Sequence, residues 1–368
     1  MKHGSRLAAL GGVVVAGALA LSACGSDDNT TATASNAPTG DIDCATGTIN
    51  AAGSSAQKNA MEEWVKQYTA KCSGTQLNYN PSGSGAGIKA FTDGQVAFAG
   101  SDSALKPEEA AAAKQRCQGG NAVNLPMVVG PIAVIYNLEG VDGLRLSPQT
   151  VAGIFTGKIK NWNDPAIAEE NSGASLPNMP IKPVYRSDES GTTENFTKYL
   201  KATAPDVWTA EPAKKWPSIG AGQGAAKSDG VSAQVKNTAG AISYVEMSYA
   251  ENLKLQTVKI KNGAGEYVEL SADSASKALA GAEQVGAGND VALELDYATK
   301  TPGAYPIVLV TYEIACEKGL PAEQAKFVKS FLAYTSSADG QKVLTSVGYA
   351  PVPQEVLSKV QASVKALS

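Results

Sequence analysis

Short apolar runs alternate along the chain with longer stretches in which apolar residues recur at helical spacing. Residues 57–71 show the helical spacing most clearly, with one apolar face formed by Ala60, Met61, Trp64, Val65 and Tyr68. The predicted strands are 47–52, 76–80, 95–99, 122–129, 132–137, 181–186, 241–245 and 307–314. The predicted helices are 57–71, 107–117, 148–155, 190–201, 321–334, 339–346 and 353–367. Strands that alternate with helices in this way indicate an α/β protein with mostly parallel sheets.

Three interruptions of this pattern bear on the organisation of the chain. Gly130-Pro131 separates two apolar runs and predicts a break between two strands. Residues 165–180 and 205–229 are predicted as long loops, which suit a rim or a partner surface. A chain of 368 residues fits two domains better than one.

The first 23 residues are predicted to be an export leader. Lys2 and Arg6 precede an uncharged apolar stretch, 7–21, which is too short and too rich in Ala and Gly for a good permanent span. The stretch ends in Leu-Ser-Ala-Cys24, which resembles a bacterial lipobox. The resemblance implies a lipoprotein signal peptide, 1–23, with cleavage before Cys24 and lipid on its sulfur and new N-terminus. Ordinary secretion, with Cys24 incidental, is the alternative.

The segment after the leader is small, polar and poor in apolar residues. Residues 25–43 read GSDDNTTATASNAPTGDID and cannot bury enough apolar surface to fold. We therefore interpret residues 24–44 as a flexible tether, which as a coil of this length spans roughly 25 Å.

Charge and histidine content narrow the classes of function. The formal net charge is −4, and removal of the leader with its two basic residues makes the remainder more acidic. An acidic chain without a basic run is a poor candidate for nucleic-acid binding. The single histidine is His3, inside the predicted leader, so the mature chain would have no imidazole. This excludes Ser-His-Asp catalysis, Cys-His catalysis and histidine-ligated metal sites.

Four cysteines remain after Cys24, namely Cys44, Cys72, Cys117 and Cys316. An even number in an exported chain predicts two disulfides, and three pairings are possible. Cys44 precedes the first predicted strand and Cys72 ends the first predicted helix. This placement slightly favours that pair, with the other two cysteines joining distant parts of the chain. No Cys-x-x-Cys occurs, so a redox role is disfavoured.

Three segments share one design, in which a strand end is followed by a turn of small residues and a helix start. They are AGSSA (52–56), PSGSGAG (81–87) and RSDESGTT (186–193). Such helix starts present hydroxyls and unpaired N–H groups and therefore favour anions. The alternative is a purely structural role, in which each segment is an ordinary turn that caps a helix. None is followed by Gly-Lys-Ser/Thr, and no Gly-x-Gly-x-x-Gly has a suitable acid downstream, so nucleotide binding is disfavoured.

The order of these motifs resembles the PstS family, the phosphate-binding lipoproteins of ABC-type phosphate importers. The matching segments are GSS (53–55), SGSGAGIKAF (82–91), VAFAGSD (96–102), IFTGKIKNWNDPAI (154–167), RSDESGTTENFTKYL (186–200), GAISYVE (240–246) and AYPIVLVTY (304–312). The resemblance implies a two-lobed periplasmic-binding-protein-like fold of type II, with two crossover strands and a ligand cleft. Lobe I would be 45–129 plus 308–368, and lobe II would be 130–307.

The resemblance also implies a function and a location. The protein would bind inorganic phosphate with high affinity outside the cytoplasmic membrane and deliver it to the subunits of an ABC permease. It would be lipid-anchored at Cys24 on the extracytoplasmic face of the cell membrane. It would be a binding protein and not an enzyme, with no cofactor, no metal and no nucleic-acid partner.

Site residues follow from matching this sequence to the family motifs. The implied phosphate-binding residues are Ser55, Ala56, Ser84, Asp102, Arg186, Ser190, Gly191 and Thr192, with Asp188 orienting the arginine. The planar guanidinium of Arg186 suits two phosphate oxygens. Ser55-Ala56 replaces the family's usual Thr-Phe, and Gly85 replaces a common serine, so the packing at 56 and the contact at 85 are open.

Asp102 is the unexpected member, because a carboxylate repels an anion. It fits if the ligand keeps a proton, since an ionised carboxylate can only accept and phosphate retains a P–O–H. The alternative is a helix cap before Pro107. The rival functions are a serine-based phosphoesterase, a binding protein for sulfate or another tetrahedral oxyanion, and a surface adhesin with a vestigial anion site.

Overall fold

The computed structural model describes residues 42–368, so the predicted leader, Cys24 and most of the predicted tether lie outside the described residues. The strands are β1 Gly47–Gly53, β2 Thr75–Asn80, β3 Phe98–Ser101, β4 Ala122–Tyr136, β5 Arg145–Leu146, β6 Lys182–Arg186, β7 Gln223–Ala225, β8 Ala241–Glu246, β9 Gln256–Thr257, β10 Lys259–Lys261, β11 Tyr267–Val268, β12 Glu283–Gln284, β13 Leu293–Glu294 and β14 Val308–Cys316.

Helices lie between most of these strands, as the alternating pattern predicts. They are α1 Lys58–Lys71, α2 Ser84–Thr92, α3 Pro107–Arg116, α4 Pro148–Phe155, α5 Pro165–Glu170, α6 Gly191–Thr203, α7 Lys227–Lys236, α8 Met247–Leu253, α9 Ala272–Leu279, α10 Ala322–Thr335, α11 Ala338–Ser346 and α12 Gln354–Ala366. In the described part of the chain, none of them is long and apolar enough to cross a bilayer.

A nine-stranded mixed sheet organises the fold, in the order β2-β1-β3-β14-β4-β8-β6-β7, with β9 paired to β4. Strands β2, β1 and β3 run parallel, and so do β8, β6 and β7. The central strands β14 and β4 are antiparallel to their neighbours. The prediction of mostly parallel sheets is therefore correct for the two outer groups and wrong for the centre. As a consequence, two groups of parallel strands each present a set of carboxyl ends.

Gly130-Pro131 does not end a strand, contrary to the sequence prediction. Strand β4 continues through it, and its neighbour changes there. Up to Pro131 the strand pairs with β14, and from Ile132 it pairs with β8. Proline lacks a backbone donor, so the point where a strand exchanges partners accommodates it.

Several other predicted boundaries also need correction. The strand predicted at 95–99 is β3, which begins only at Phe98, because Gly94 turns left-handed after α2 and the Gln95 N–H bonds Ala90 O at 2.9 Å. The predicted loop 165–180 contains α5. The predicted loop 205–229 contains β7 and the start of α7. In both loops the elements are short, so no sustained periodicity marks them.

Apolar side chains form separate clusters on the two sides of the central strands. One is built around Trp64, Tyr68 and Phe331, from residues near both ends of the described chain. Another is built around Phe155 and Trp162, from the middle of the chain. These clusters accord with the predicted two lobes, whose boundaries stay a prediction.

Both disulfides pair as the sequence slightly favoured. Cys44 is bonded to Cys72, and Cys117 is bonded to Cys316. The first bond closes the β1–α1 unit. The second connects the end of α3 to the end of β14, the strand that pairs with β3.

Candidate functional site

The predicted site residues gather at the carboxyl ends of the two parallel groups of strands. Ser55 follows β1, Ser84 follows β2 and Asp102 follows β3. From the other group, Arg186 ends β6, and the Ser190–Thr192 turn follows it. In α/β proteins this edge is where ligands bind. The structure thus brings residues from widely separated parts of the chain to one place.

Asp102 is buried and receives three hydroxyl hydrogen bonds. Ser54 Oγ donates to Oδ1 at 2.5 Å, Thr311 Oγ1 to Oδ1 at 2.8 Å, and Ser84 Oγ to Oδ2 at 3.1 Å. Burial raises the pKa of Asp102 to about 6, although the hydrogen bond from Ser54 opposes the rise. Each carboxylate oxygen offers about two acceptor positions, so Oδ2 retains one for a further donor.

The helix-cap alternative for Asp102 is wrong. Helix α3 begins after Lys106, whose backbone N–H donates to Glu109 Oε2 at 2.8 Å. The side chain of Asp102 points instead to the hydroxyls described above. Its role therefore has to be sought in the site and not in the helix.

Ser84 and Gly191 join the two groups of strands. Ser84 Oγ accepts the backbone N–H of Asp102 and that of Gly191, both at 3.2 Å. A Cβ at position 191 would lie 2.5 Å from the Cβ of Asp102 and 2.7 Å from Ser84 Oγ. Only glycine permits this approach, which places the start of α6 against Asp102.

Arg186 is held by a two-point ion pair and keeps one nitrogen for other partners. Its Nε and Nη2 donate to the two oxygens of Asp188 at 2.8 and 2.6 Å. Its Nη1 lies 3.4 Å from Thr192 Oγ1 and 3.3 Å from Ser228 Oγ. Burial alone would raise the pKa of Asp188, but Arg186 lowers it below its usual range. Both sequence interpretations of Arg186, ion pair and anion ligand, are compatible with this geometry.

Ser55 contacts Ser228, a residue that the sequence analysis missed. Its hydroxyl lies 3.0 Å from the hydroxyl of Ser228, and it accepts the Ser228 N–H at 3.3 Å. Ser228 is fully buried in the first turn of α7. It stands inside the segment interpreted as a loop, so no predicted strand end pointed to it.

Ala56 and Ser190 lie at the site with part of their hydrogen-bonding capacity in use. The N–H of Ala56 donates to Ser54 Oγ at 2.9 Å. Ser190 caps α6, and its hydroxyl accepts the Thr193 N–H at 3.2 Å. A hydroxyl that accepts in this way still has its hydrogen to give, so Ser190 remains able to donate to an anion.

Glu246 is a second carboxylate that the sequence analysis missed. It ends β8, is fully buried, and accepts the Thr192 hydroxyl on Oε1 at 2.5 Å. Among the described residues, its Oε2 has no hydrogen-bond partner. Strand β8 was predicted to end one residue earlier, at 245. Glu246 therefore directly follows a predicted strand, and that position was the feature that could have identified it as a site residue. The site therefore combines Arg186 with three carboxylates and a set of hydroxyls.

Glu313 is a buried carboxyl on β14, where it pairs with Gly100 of β3. Within residues 42–368, neither Glu313 oxygen has a hydrogen-bond partner, and neither does Gln57 Oε1. Gln57 Nε2 donates to Tyr79 Oη at 3.0 Å, and Tyr79 Oη donates to Ser54 O at 2.8 Å. Burial raises the pKa of Glu313 well above its usual range, and nearby Asp102 raises it further. A protonated Glu313 avoids an unpaired charge at this buried position.

Replacing Glu313 by glutamine should make the ligand-free protein less sensitive to alkaline pH. An acid whose pKa is raised by folding adds stability below its unfolded pKa, and this stability is lost as pH rises through the folded pKa. Glu313→Gln mimics the protonated form. We expect its Tm at about pH 8 to exceed that of wild type by roughly 2 °C or more. Thermal melts across pH measure this, with the exposed Glu323→Gln as control. Identical pH profiles for Glu313→Gln and wild type would contradict the expectation.

Known proteins share both the sequence and the fold of this chain. A family model described as a PBP superfamily domain matches residues 31–339. The chain is 46% identical over 372 residues to phosphate-binding protein PstS 3 of Mycobacterium tuberculosis, covering 99% of each chain. It is 44% identical over 363 residues to phosphate-binding protein PstS 3 of Mycobacterium leprae, covering 97% of each.

A solved structure supports the fold. The phosphate binding protein of Stenotrophomonas maltophilia superposes with a TM-score of 0.66 at 20% identity, over 86% of this chain and 94% of that one. At this level of identity the similarity concerns the fold, which is that of a periplasmic binding protein.

Proposed function

This chain belongs to the PstS phosphate-binding proteins, and from that premise we propose that it captures inorganic phosphate outside the cytoplasmic membrane and delivers it to an ABC-type permease. Its relatives carry the name of phosphate-binding proteins. Arg186, the α6 start and the Ser190 hydroxyl supply charge and donors for an oxyanion in a site shielded from water, as does the Ser55–Ser228 hydroxyl pair. The hydroxyls of Ser84 and Thr192 already donate to Asp102 and Glu246, so these two residues would offer the anion their backbone N–H groups or accept from it.

The observation that carries the choice of phosphate is the free acceptor position on Asp102 Oδ2. Oδ1 already receives two hydroxyls, whereas Oδ2 receives one. A protonated oxyanion can donate to the remaining position. Sulfate has no proton near neutral pH and would leave two negative groups facing each other.

Ligand capture would involve closure of the two proposed lobes, 45–129 plus 308–368 and 130–307, about strands β4 and β14. The site residues come from both proposed lobes and are buried in the present arrangement. A phosphate held at micromolar affinity or better needs about 8 kcal/mol of binding free energy or more. The proposed hydrogen bonds supply this only in part, because the anion loses its water on entry.

We further propose that the protein is a lipoprotein attached at Cys24, with residues 24–44 as its tether. The Leu-Ser-Ala-Cys24 sequence supports this proposal. The proposed role is binding and not catalysis, since the only histidine is His3 and the relatives are named as binding proteins.

Calorimetric titration of the phosphate-stripped protein with phosphate, arsenate and sulfate tests the proposed function. We expect one phosphate per chain at micromolar affinity or tighter, and sulfate at least 10³-fold weaker, since a site built around one required hydrogen bond rejects analogues by roughly 10⁴–10⁵. Arsenate, which also retains a proton, should bind in the same range as phosphate. Failure to bind phosphate, or equal affinity for sulfate, would overturn the proposal.

A further inference from the structure

A buried ion cluster lies beside the site. The Lys214 ammonium is 2.9 Å from Glu109 Oε1 and 3.9 Å from Glu194 Oε2. Ser103 Oγ donates to the same oxygen of Glu194 at 3.0 Å. The side chains of Lys214 and Glu194 are only 7% and 6% exposed. Glu109 is 21% exposed, so the cluster is buried at Lys214 and Glu194 and reaches the surface at Glu109.

The members of the cluster come from the two sides of the site. Ser103 directly follows Asp102, and Glu109 lies in the first turn of α3. Glu194 lies in the first turn of α6, which Ser190 caps. Lys214 stands in the segment between α6 and β7. Its ammonium therefore connects the Asp102 side of the site with the α6 side.

The main chain of Lys214 is tied to the predicted anion loop. Its carbonyl accepts the Ser190 N–H at 3.0 Å. This bond holds the residue that caps α6. The side chain and the main chain of one residue thus join the Ser190–Thr192 turn to the segment that follows Asp102.

The contribution of an ion pair to stability depends on how far it is buried. Exposed ion pairs contribute little, whereas removing one partner of a buried pair leaves an uncompensated charge and is strongly unfavourable. Glu194 also has Lys198, whose ammonium is 3.8 Å from its other oxygen. Within residues 42–368, Glu109 forms an ion pair with Lys214 alone. Loss of the Lys214 ammonium would therefore affect the Glu109 contact most.

We propose that Lys214 is a positioning residue that fixes the Ser190–Thr192 turn against the Asp102 segment and so slows the release of phosphate. This inference rests on the proposed function. The ammonium is buried between Glu109 and Glu194 and is not among the groups proposed to bind the anion. Its loss should make the closed arrangement open more often, which raises the dissociation rate and leaves the association rate nearly unchanged.

The test compares Lys214→Met with Lys215→Met. Methionine keeps the length of the apolar stem and leaves the main-chain bond to Ser190 available. Lys215 is the matched control, because it is the next residue, loses the same charge, and has a side chain that is 79% exposed in its pair with Glu189. Rapid filtration with radiolabelled phosphate gives both rates. We expect Lys214→Met to release phosphate at least ten times faster and Lys215→Met to stay within twofold of wild type.

A second variant approaches the same contact from the other side. Glu109→Gln retains an oxygen for the Lys106 N–H and removes the charge that faces Lys214. We expect it to speed dissociation by about threefold or more, and Lys214→Arg to remain close to wild type. If Lys214→Met does not fold, Glu109→Gln decides the question.

The outcomes separate this inference from the proposed function. Wild-type dissociation rates in folded Lys214→Met, or in Glu109→Gln where Lys214→Met does not fold, would overturn the inference alone. A slower association with unchanged dissociation would also overturn it, since that result indicates electrostatic steering. A wild-type protein that binds no phosphate would overturn the proposed function and this inference with it.

Discussion

Replacing Arg186 by alanine should weaken phosphate binding by at least tenfold. Arg186 supplies the cation of the site, which otherwise holds three carboxylates, and its Nη1 already lies near two hydroxyls at 3.3 and 3.4 Å. A hydrogen bond to a charged group contributes about 1.5–3 kcal/mol. Without the cation, the charge of Asp188 is also left to repel the anion. Titration calorimetry measures the change.

Two further variants make this result specific. Arg186→Lys keeps the charge and loses the planar fork, so its affinity should lie between those of wild type and Arg186→Ala. Arg145→Ala removes an exposed arginine that faces the ring of Tyr267 and should bind phosphate normally. A folded Arg186→Ala protein with wild-type affinity would remove Arg186 from the site.

The second large effect concerns selectivity. Asp102→Asn should reduce the preference for phosphate over sulfate by at least 100-fold, because an amide can donate where the carboxylate could only accept. Sulfate should gain affinity and phosphate should lose it. Asp93→Asn, which changes an exposed carboxylate at the end of α2, is the control. Full selectivity in Asp102→Asn would refute the role given to this carboxylate.

At low pH the wild-type protein should bind sulfate more like Asp102→Asn does. The pKa of Asp102 is raised to about 6 by burial, so its carboxyl is ionised above that pH and protonated below it. Below about pH 6 it becomes a donor, and its repulsion of a proton-free anion ends. Sulfate affinity should therefore rise as pH falls through about 6, and Asp102→Asn should not show this rise.

The sequence analysis located the anion loops because each combines a strand end, small residues and a helix start. Ser55, Ser84 and Arg186 all lie where that design places them. Thr311 was missed for a physical reason. It lies in the middle of β14, 209 residues from Asp102. Nothing in the local sequence around a buried threonine in a strand indicates which residue it will bond.

A helix start was predicted in segment 81–87, but the extent of helix α2 was not, since its sequence carries two glycines. Gly85 and Gly87 lower its intrinsic helix propensity. The structure explains why they are there. A Cβ at Gly87 would lie 2.3 Å from the Cα of Gly53, and one at Gly85 would lie 2.4 Å from Glu189 Oε2. Close packing, which depends on distant residues, therefore overrides local preference in this helix.

The change of partner along β4 also depends on residues that are distant in sequence, so it could not be predicted locally. Apolar runs on both sides of Gly130-Pro131 predicted two strands, and no local pattern distinguishes a break from an exchange of neighbours. The exchange depends on the arrival of β8 beside Ile132, which is more than 100 residues away in sequence.

The two disulfides have different consequences for the order in which the newly made chain is completed. Cys44 and Cys72 are 28 residues apart, so they can join soon after the first helix has formed. Cys117 and Cys316 are separated by 199 residues. Cys117 therefore cannot reach its native partner until the chain has been made through β14. Any earlier bond from Cys117 to Cys44 or Cys72 would have to be exchanged before both native pairs could form.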